Sequence, residues 1–498
     1  MKNTINITLL LFLCLLWTGC NSVPVIDDAE QENRLPQLFP DYTGIVIPPN
    51  LAPLNFEIKE AGDKFLVQIV GEEGETLNVY QSSPKIQLPP KAWKTLLQSN
   101  KNRTLSIHIF IRKGEQWHQF QTIQNSIAEE TINPYLYYRD IVPTNGLWNY
   151  MAMHQRNLEN FTEEELFTNY RIDHNCMNCH TFNRNNPHEW LFHVRGSNGG
   201  TVICKDDAIR KMVFPLPEVL SAGAYCNWHP DGKKIAFAVN QIKQNYYLSG
   251  YADKMKEVFD LESDIVIYDT ETNTISNFPQ IASPTVRENL PVWSADGKMM
   301  YFVSATAYEQ DMPNEDNVYS LMQVTYHSET NQVGEPELLI ASEEIGGSIA
   351  FPTVSPDGRF MLFCVADFGY FPVNNKSADI YIMDLQTKAY HKAPINSPES
   401  ESYISWSDNS RWFVFSSRRL DGMTSKPFIC HINAEGTFSK PFIIPQKEAD
   451  YYTIDHRNFS RPELLSDRVS LNFGDLQPAI FGKPVVAGFQ IEQAANRQ

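Results

Sequence analysis

Trp228-His229-Pro230-Asp231-Gly232-Lys233-Lys234-Ile235-Ala236-Phe237 returns, altered, as Trp293-Ser294-Ala295-Asp296-Gly297-Lys298-Met299-Met300-Tyr301-Phe302. It returns twice more, as Val354-Ser355-Pro356-Asp357-Gly358-Arg359-Phe360-Met361-Leu362-Phe363 and as Trp406-Ser407-Asp408-Asn409-Ser410-Arg411-Trp412-Phe413-Val414-Phe415. Each copy reads as the end of one strand, a tight turn on Asp-Gly or Asp-Asn, and the start of a second strand. Asp231, Asp296, Asp357 and Asp408 recur at intervals of 65, 61 and 51 residues. Outer strands fit in between, such as Asp264-Ile265-Val266-Ile267-Tyr268-Asp269 and Asp379-Ile380-Tyr381-Ile382-Met383-Asp384. Four-stranded repeats of this period predict an all-β chain built around a β-propeller.

Upstream of the first clear repeat, Asn186-Pro187-His188-Glu189-Trp190-Leu191-Phe192 reads as another turn and second strand, with His188 and Glu189 in the place of Asp-Gly. Thr181 to Asn185 would then form an innermost strand, and the loop leading into it carries Cys176-Met177-Asn178-Cys179-His180. This CxxCH motif is the chemical centre of the chain. Two cysteines at that spacing can form thioethers to the two vinyl groups of one haem, and the adjacent histidine becomes an axial ligand of the iron. The alternatives are a CxxC disulfide, or a zinc site completed by His174, His180, Cys204 or Cys226. No second CxxCH occurs, so one covalent haem c is expected.

Loops equivalent to the CxxCH segment should ring the same channel mouth. They offer His456 or His174 as a second metal ligand, and Arg287 or Arg457 to pair with haem propionates, since a guanidinium matches a carboxylate. The plainer reading of Arg287 and Arg457 is loop bracing, and of His456 a turn cap. No GxSxG, HExxH or phosphate-cradling glycine loop is present, so nothing points to a hydrolase.

The chain of 498 residues is long enough for two or three folded units, and 12% aromatics with 31 Pro and 24 Gly suit short strands and turns. A net charge of −18 argues against nucleic acid as a partner. Lys2 followed by an apolar run through Leu9 to Trp17 has the order of an export signal. It ends at Thr18-Gly19-Cys20, which resembles a bacterial lipobox with Cys20 as the lipidated first mature residue; an ordinary cleaved signal is the alternative. Residues 1–20 are thus expected to be a lipoprotein signal peptide and 21–39 a polar tether. Residues 40–130 read as a small β-sandwich, from the alternation of Phe65, Val67, Ile69 and of Leu105, Ile107, Ile109, Ile111, with a short helix around Trp93 to Leu97. Residues 131–175 read as a connector with a short helix that Asn160 and Glu163 would open as a capping box, and 176–498 as the propeller. A closing strand from residues 133–150 is a further expectation.

The W-S-x-D-G-K repeats resemble those of TolB-like, WD40-like propellers of the bacterial periplasm, which implies the six-bladed fold over roughly residues 180–470. Export signal, small β-domain, CxxCH and such a propeller together resemble a group of Gram-negative lipoproteins described as cytochrome c-like. That resemblance implies a haem protein of the cell envelope, held to a membrane by an N-terminal lipid and engaged in electron transfer or haem redox chemistry with a partner. The competing expectation is a non-enzymatic interaction scaffold in which the same cysteines hold zinc or a disulfide.

Overall fold

The computed structural model describes residues 23–142, 149–206, 208–246, 256–310 and 312–491. The Asp-Gly repeats build the same hairpin three times, and their side chains explain why. Ser294 Oγ donates to Asp296 Oδ1 at 2.7 Å, while the backbone N–H groups of Lys298 and Met299 donate to Asp296 and Ser294. Ser355 and Asp357 repeat the arrangement with Arg359 and Phe360. Gly232, Gly297 and Gly358 follow at φ 71 to 73°, where a Cβ is disfavoured. In the last copy Asn409 accepts from Arg411 N, and Ser410 takes the left-handed position at φ 61°. The turn residue there is therefore Asn409 and not Asp408, a one-residue correction to the repeat.

Six sheets form six blades. The second runs Cys176–Asn183, Asn186–Arg195, Gly200–Lys205, Ala208–Val213. The third runs Gly223–Trp228, Lys234–Tyr246, Lys256–Asp269, Thr274–Asn277, and the fourth begins at Val286–Trp293. The fifth begins at Ser348–Val354 and the sixth at Glu401–Trp406. The first blade closes the ring: its three outer strands, Tyr135–Ile141, Met151–Asn157 and Glu163–Thr168, come from the N-terminal half, and its innermost strand, Asn458–Leu465, comes from near the C-terminus. Residues 131–175 are consequently mostly blade and not a helical connector. Asn160 Oδ1 accepts from Thr162 N in a turn, and Glu163–Thr168 pairs antiparallel with Ala152–Arg156, so tertiary pairing overrides the helix propensity of three glutamates. After the ring closes, Val485–Val486 and Gly488–Ile491 add fifth strands to the second and third blades.

The N-terminal unit is a small β-sandwich: a seven-stranded sheet, a three-stranded sheet, and the helix Pro90–Ser99 with Trp93 buried beneath it. It begins earlier than the expected tether allows, since Glu30–Glu32 pairs with His118–Phe120 and Leu38–Phe39 with Glu57–Ile58. These are backbone pairings of an edge strand, which hydrophobic periodicity does not register. One apolar core runs from this unit into the sixth blade, through Tyr42, Phe56, Trp93, Trp412, Phe413 and Phe442. Each such large side chain contributes roughly 1.5–3 kcal/mol on burial, so the sandwich docks on its own propeller.

Candidate functional site

Every innermost strand breaks its register, the second blade's twice, and at one break in each stands a residue in the left-handed region: Cys179, Tyr225, Leu290, Phe351, Tyr403 and Arg461, with φ between 43° and 53°. In the third to sixth blades it lies six residues ahead of the turn residue, as Tyr225 does of Asp231 and Tyr403 of Asn409. None is glycine, so each bulge holds strain of about 1–3 kcal/mol.

The CxxCH motif lies on the inner strand of the second blade and not in a loop before it. Its start is pinned by the 3₁₀ turn Asn169–Ile172, by Asp173 and His174 in left-handed conformations, and by Asn175, whose Oδ1 accepts from Asn198 N at 2.8 Å. The following hairpin turns through Arg184 and Asn185, both at positive φ, so His188 and Glu189 belong to the second strand and not to the turn. On a regular strand, residues three apart face opposite sides. The bulge at Cys179 changes that, and Cys176, Asn178, Cys179 and His180 all line one cavity of about 180 Å3. Tyr225, Tyr403 and Arg461 of the bulge ring divide this cavity from a second, of about 230 Å3, on the turn side of the channel. Over it reaches the hairpin Lys234–Tyr246 and Lys256–Asp269, with strands of 13 and 14 residues, whose Ile242, Tyr246, Lys256 and Val258 join the lining. Lys256, Phe371 and Asn374 also border an adjoining cavity of about 380 Å3.

His180 is 1% exposed, and its ring meets Tyr137 edge-on at 4.8 Å. Nε2 donates to the Arg461 carbonyl at 2.9 Å. A carbonyl can only accept, so the lone pair sits on Nδ1. Burial, with Arg461 and Arg139 nearby, pushes the imidazole pKa well down and keeps the ring neutral. Glu463 lies 3.7 Å away, its carboxyl raised to about 7 by burial. Burial likewise raises the Cys176 thiol.

The other expected ligands stand elsewhere. His174 is exposed against Tyr170, and His456 is exposed. Arg287 is buried in the fourth blade, donating to Asp260 O, Asn317 Oδ1 and Thr306 O. Arg457 braces the first blade through Asp140 at 2.5 Å and Asp455 at 2.9 Å. None of the four lines the cavity. Counting along loops located the mouth but could not show that nearby carbonyls and carboxylates had already claimed both guanidinium groups. The cations that do line it are Arg139, Arg195, Lys256, Arg418 and Arg461, which carry no motif. Cys204 and Cys226 are buried and unbridged, and Cys226 Sγ lies 3.5 Å from the Cys179 carbonyl oxygen. Cys176 and Cys179 are likewise not joined to each other. Among the described residues no three His, Cys, Asp or Glu side chains converge as a metal cluster would require. Cys20 lies outside the described residues.

No protein-family model matches the chain, and no curated protein matches it. Solved structures resemble it distantly. A chain of a nidogen/laminin complex matches with 7% identity and a TM-score of 0.39, over 67% of this chain and 100% of that one. The Cps50 (Swd1) β-propeller domain of Myceliophteria thermophila matches with 12% identity and a TM-score of 0.28, over 54% and 87%. Porphyromonas gingivalis dipeptidyl peptidase 4 matches with 9% identity and a TM-score of 0.29, over 81% and 60%. The chain is a β-propeller by its own six sheets, and these likenesses carry nothing about its chemistry.

Proposed function

We propose that the chain is an envelope lipoprotein, anchored through Cys20, whose propeller carries one covalent haem on Cys176 and Cys179 with His180 as axial ligand, and that it exchanges electrons with a partner protein or a small molecule. The observation that carries this reading is that the three motif side chains line a single cavity, although a regular strand would divide them. Cys176 and Cys179 would hold the haem by adding one S–H each across a vinyl group, the sulfur taking one vinyl carbon and the hydrogen the other, with no outside oxidant. The donor set suits the group: two thiols and a neutral imidazole whose N–H is spent on a backbone carbonyl, as metal-binding histidines commonly arrange. With its neighbour of about 380 Å3, the cavity is on the scale of roughly 300–1,000 Å3 usual for cofactor pockets. When bound, the haem iron would supply one-electron chemistry. Neither His174 nor His456 reaches this cavity, whereas Met151 lines it, so Met151 would be the further side chain able to hold the iron.

The test is expression with a c-type maturation system, followed by a denaturing gel stained for haem. A stained band is expected, lost in Cys176→Ala and in Cys179→Ala and kept, with an altered Soret band, in His180→Ala. A folded, unstained protein without a Soret band would sink the reading.

A further inference from the structure

The cavity holding the motif is lined by Arg139, Arg195, Lys256 and Arg418, and among the described residues no Asp or Glu side chain lines it. In a chain of net charge −18 this is a local reversal of sign. Arg461 lines it too, but its charge is met by Glu463 at 3.2 Å. The other four form no ion pair among the described residues, although Asp421 and Glu399 act on Arg418 from farther off. Arg139 donates to the Met177 carbonyl at 2.7 Å and to Ser460 Oγ at 3.1 Å. Arg418, 4% exposed, donates to Asn374, and the Lys256 ammonium rests against the rings of Tyr246 and Phe371 at 5.5 and 6.0 Å. The Nε atoms of Arg139 and Arg418 are buried without a partner. Burial, then Arg139 and Arg195, pull the Lys256 ammonium down to about 8, with Cys176 acting in the opposite direction.

Charges of one sign on low-dielectric concave walls focus a potential into the space between them, and unpaired buried donors are stabilised by whatever enters to accept from them. Planar guanidinium forks match the oxygens of a carboxylate or similar oxyanion. We propose that this cavity binds an anionic group, a carboxylate or comparable oxyanion, through Arg139, Arg195, Lys256 and Arg418. Two sources have that chemistry, the propionates of a bound haem and a diffusible small anion. The inference stands on the charges of the cavity and does not require the haem.

The test takes the full chain produced without haem and titrates it by calorimetry, at low ionic strength, with citrate and with inorganic phosphate. Saturable binding is expected, weakened at least tenfold in Arg195→Gln and in Lys256→Gln, with thermal unfolding of the anion-free variants unchanged. Arg195→Lys, which keeps the charge, should recover part of the loss. No saturable binding of either anion, or equal binding by the wild-type chain and both glutamine variants, overturns the proposal. Repeating the titration on the haem-loaded chain separates the sources: binding lost on loading assigns the cations to propionates, and binding retained assigns them to a diffusible anion. A chain that never takes up haem but binds citrate would defeat the cofactor reading and leave this one standing.

Discussion

His193 sits on the second strand of the second blade, fully buried, with Nδ1 3.0 Å from Thr201 Oγ1, and burial holds its pKa down to about 3 against an ordinary 6.5. Above pH 6.5 neither the folded nor the unfolded chain carries this proton. As pH falls from 6.5 towards 3 only the unfolded chain takes it up, so stability is lost across that window, about 1.4 kcal/mol for each pH unit. His193→Gln should flatten the acid limb of a urea-midpoint profile; an unchanged slope between pH 6 and 4 would contradict the burial argument. Glu288 has the opposite sign. Its Oε2 is buried without a partner, and burial, with Asp264 nearby, raises its pKa from 4.5 to about 8. Between those values the folded chain keeps a proton that the unfolded chain has released, so stability falls as pH rises. Glu288→Gln is therefore expected to stabilise the protein at pH 8, by up to about 5 kcal/mol for the full shift, and to have little effect at pH 4. The two residues are alike in legibility. Nothing local in either stretch of sequence announces how deeply the group is buried, because burial is set by which blade packs against it.

At the scale of elements, the turns were legible and the bulges were not. An Asp-Gly pair carries its own reason, since the carboxylate caps the turn and glycine takes the positive φ. The bulge ring has no such code: cysteine, two tyrosines, leucine, phenylalanine and arginine occupy one conformation, held by blade packing and not by residue type. That is why the motif's position on a strand, and the gathering of its side chains into one cavity, escaped a reading based on loop counting. The turns also differ in their tolerance. A Cβ on Gly297 would lie 2.3 Å from His229 Nε2, whereas on Gly358, at nearly the same φ, it would meet Ala295 Cβ at 3.2 Å. Gly358→Ala should cost about 1–2 kcal/mol, chiefly the left-handed penalty, and Gly297→Ala distinctly more, because His229 must leave its bond to the Gly297 carbonyl as well. Urea midpoints of the two variants check the order, and equal losses would mean that His229 moves aside freely.

For the whole molecule the decisive feature is the first blade, stitched from chain segments more than three hundred residues apart. Arg457 crosses that seam to Asp140 on the other side, and Asp140 is only 4% exposed. Removing the guanidinium leaves a buried carboxylate facing only the His154 ring, 3.8 Å away, while removing the carboxylate charge leaves a partly exposed arginine still paired with Asp455. Arg457→Met is thus expected to destabilise by about 3 kcal/mol and Asp140→Asn by clearly less. The reverse order in denaturant unfolding would show that the seam depends on something other than this pair.

By itself the sequence determined the repeat, the propeller, the small sandwich with its helix at Trp93, and the motif Cys176-Cys179-His180, because each is written in neighbouring residues: turn chemistry, strand alternation, or ligand spacing. Only the tertiary structure decided that Tyr135–Ile141, Met151–Asn157 and Glu163–Thr168 share a blade with Asn458–Leu465, that Arg287 and Arg457 are spent on bracing, and that Arg139, Arg195, Lys256 and Arg418 gather around the motif with no acid among the described lining residues. Those facts depend on which distant strands lie side by side, and strand partners are chosen by burial and backbone pairing across the whole ring, which no local stretch of sequence encodes.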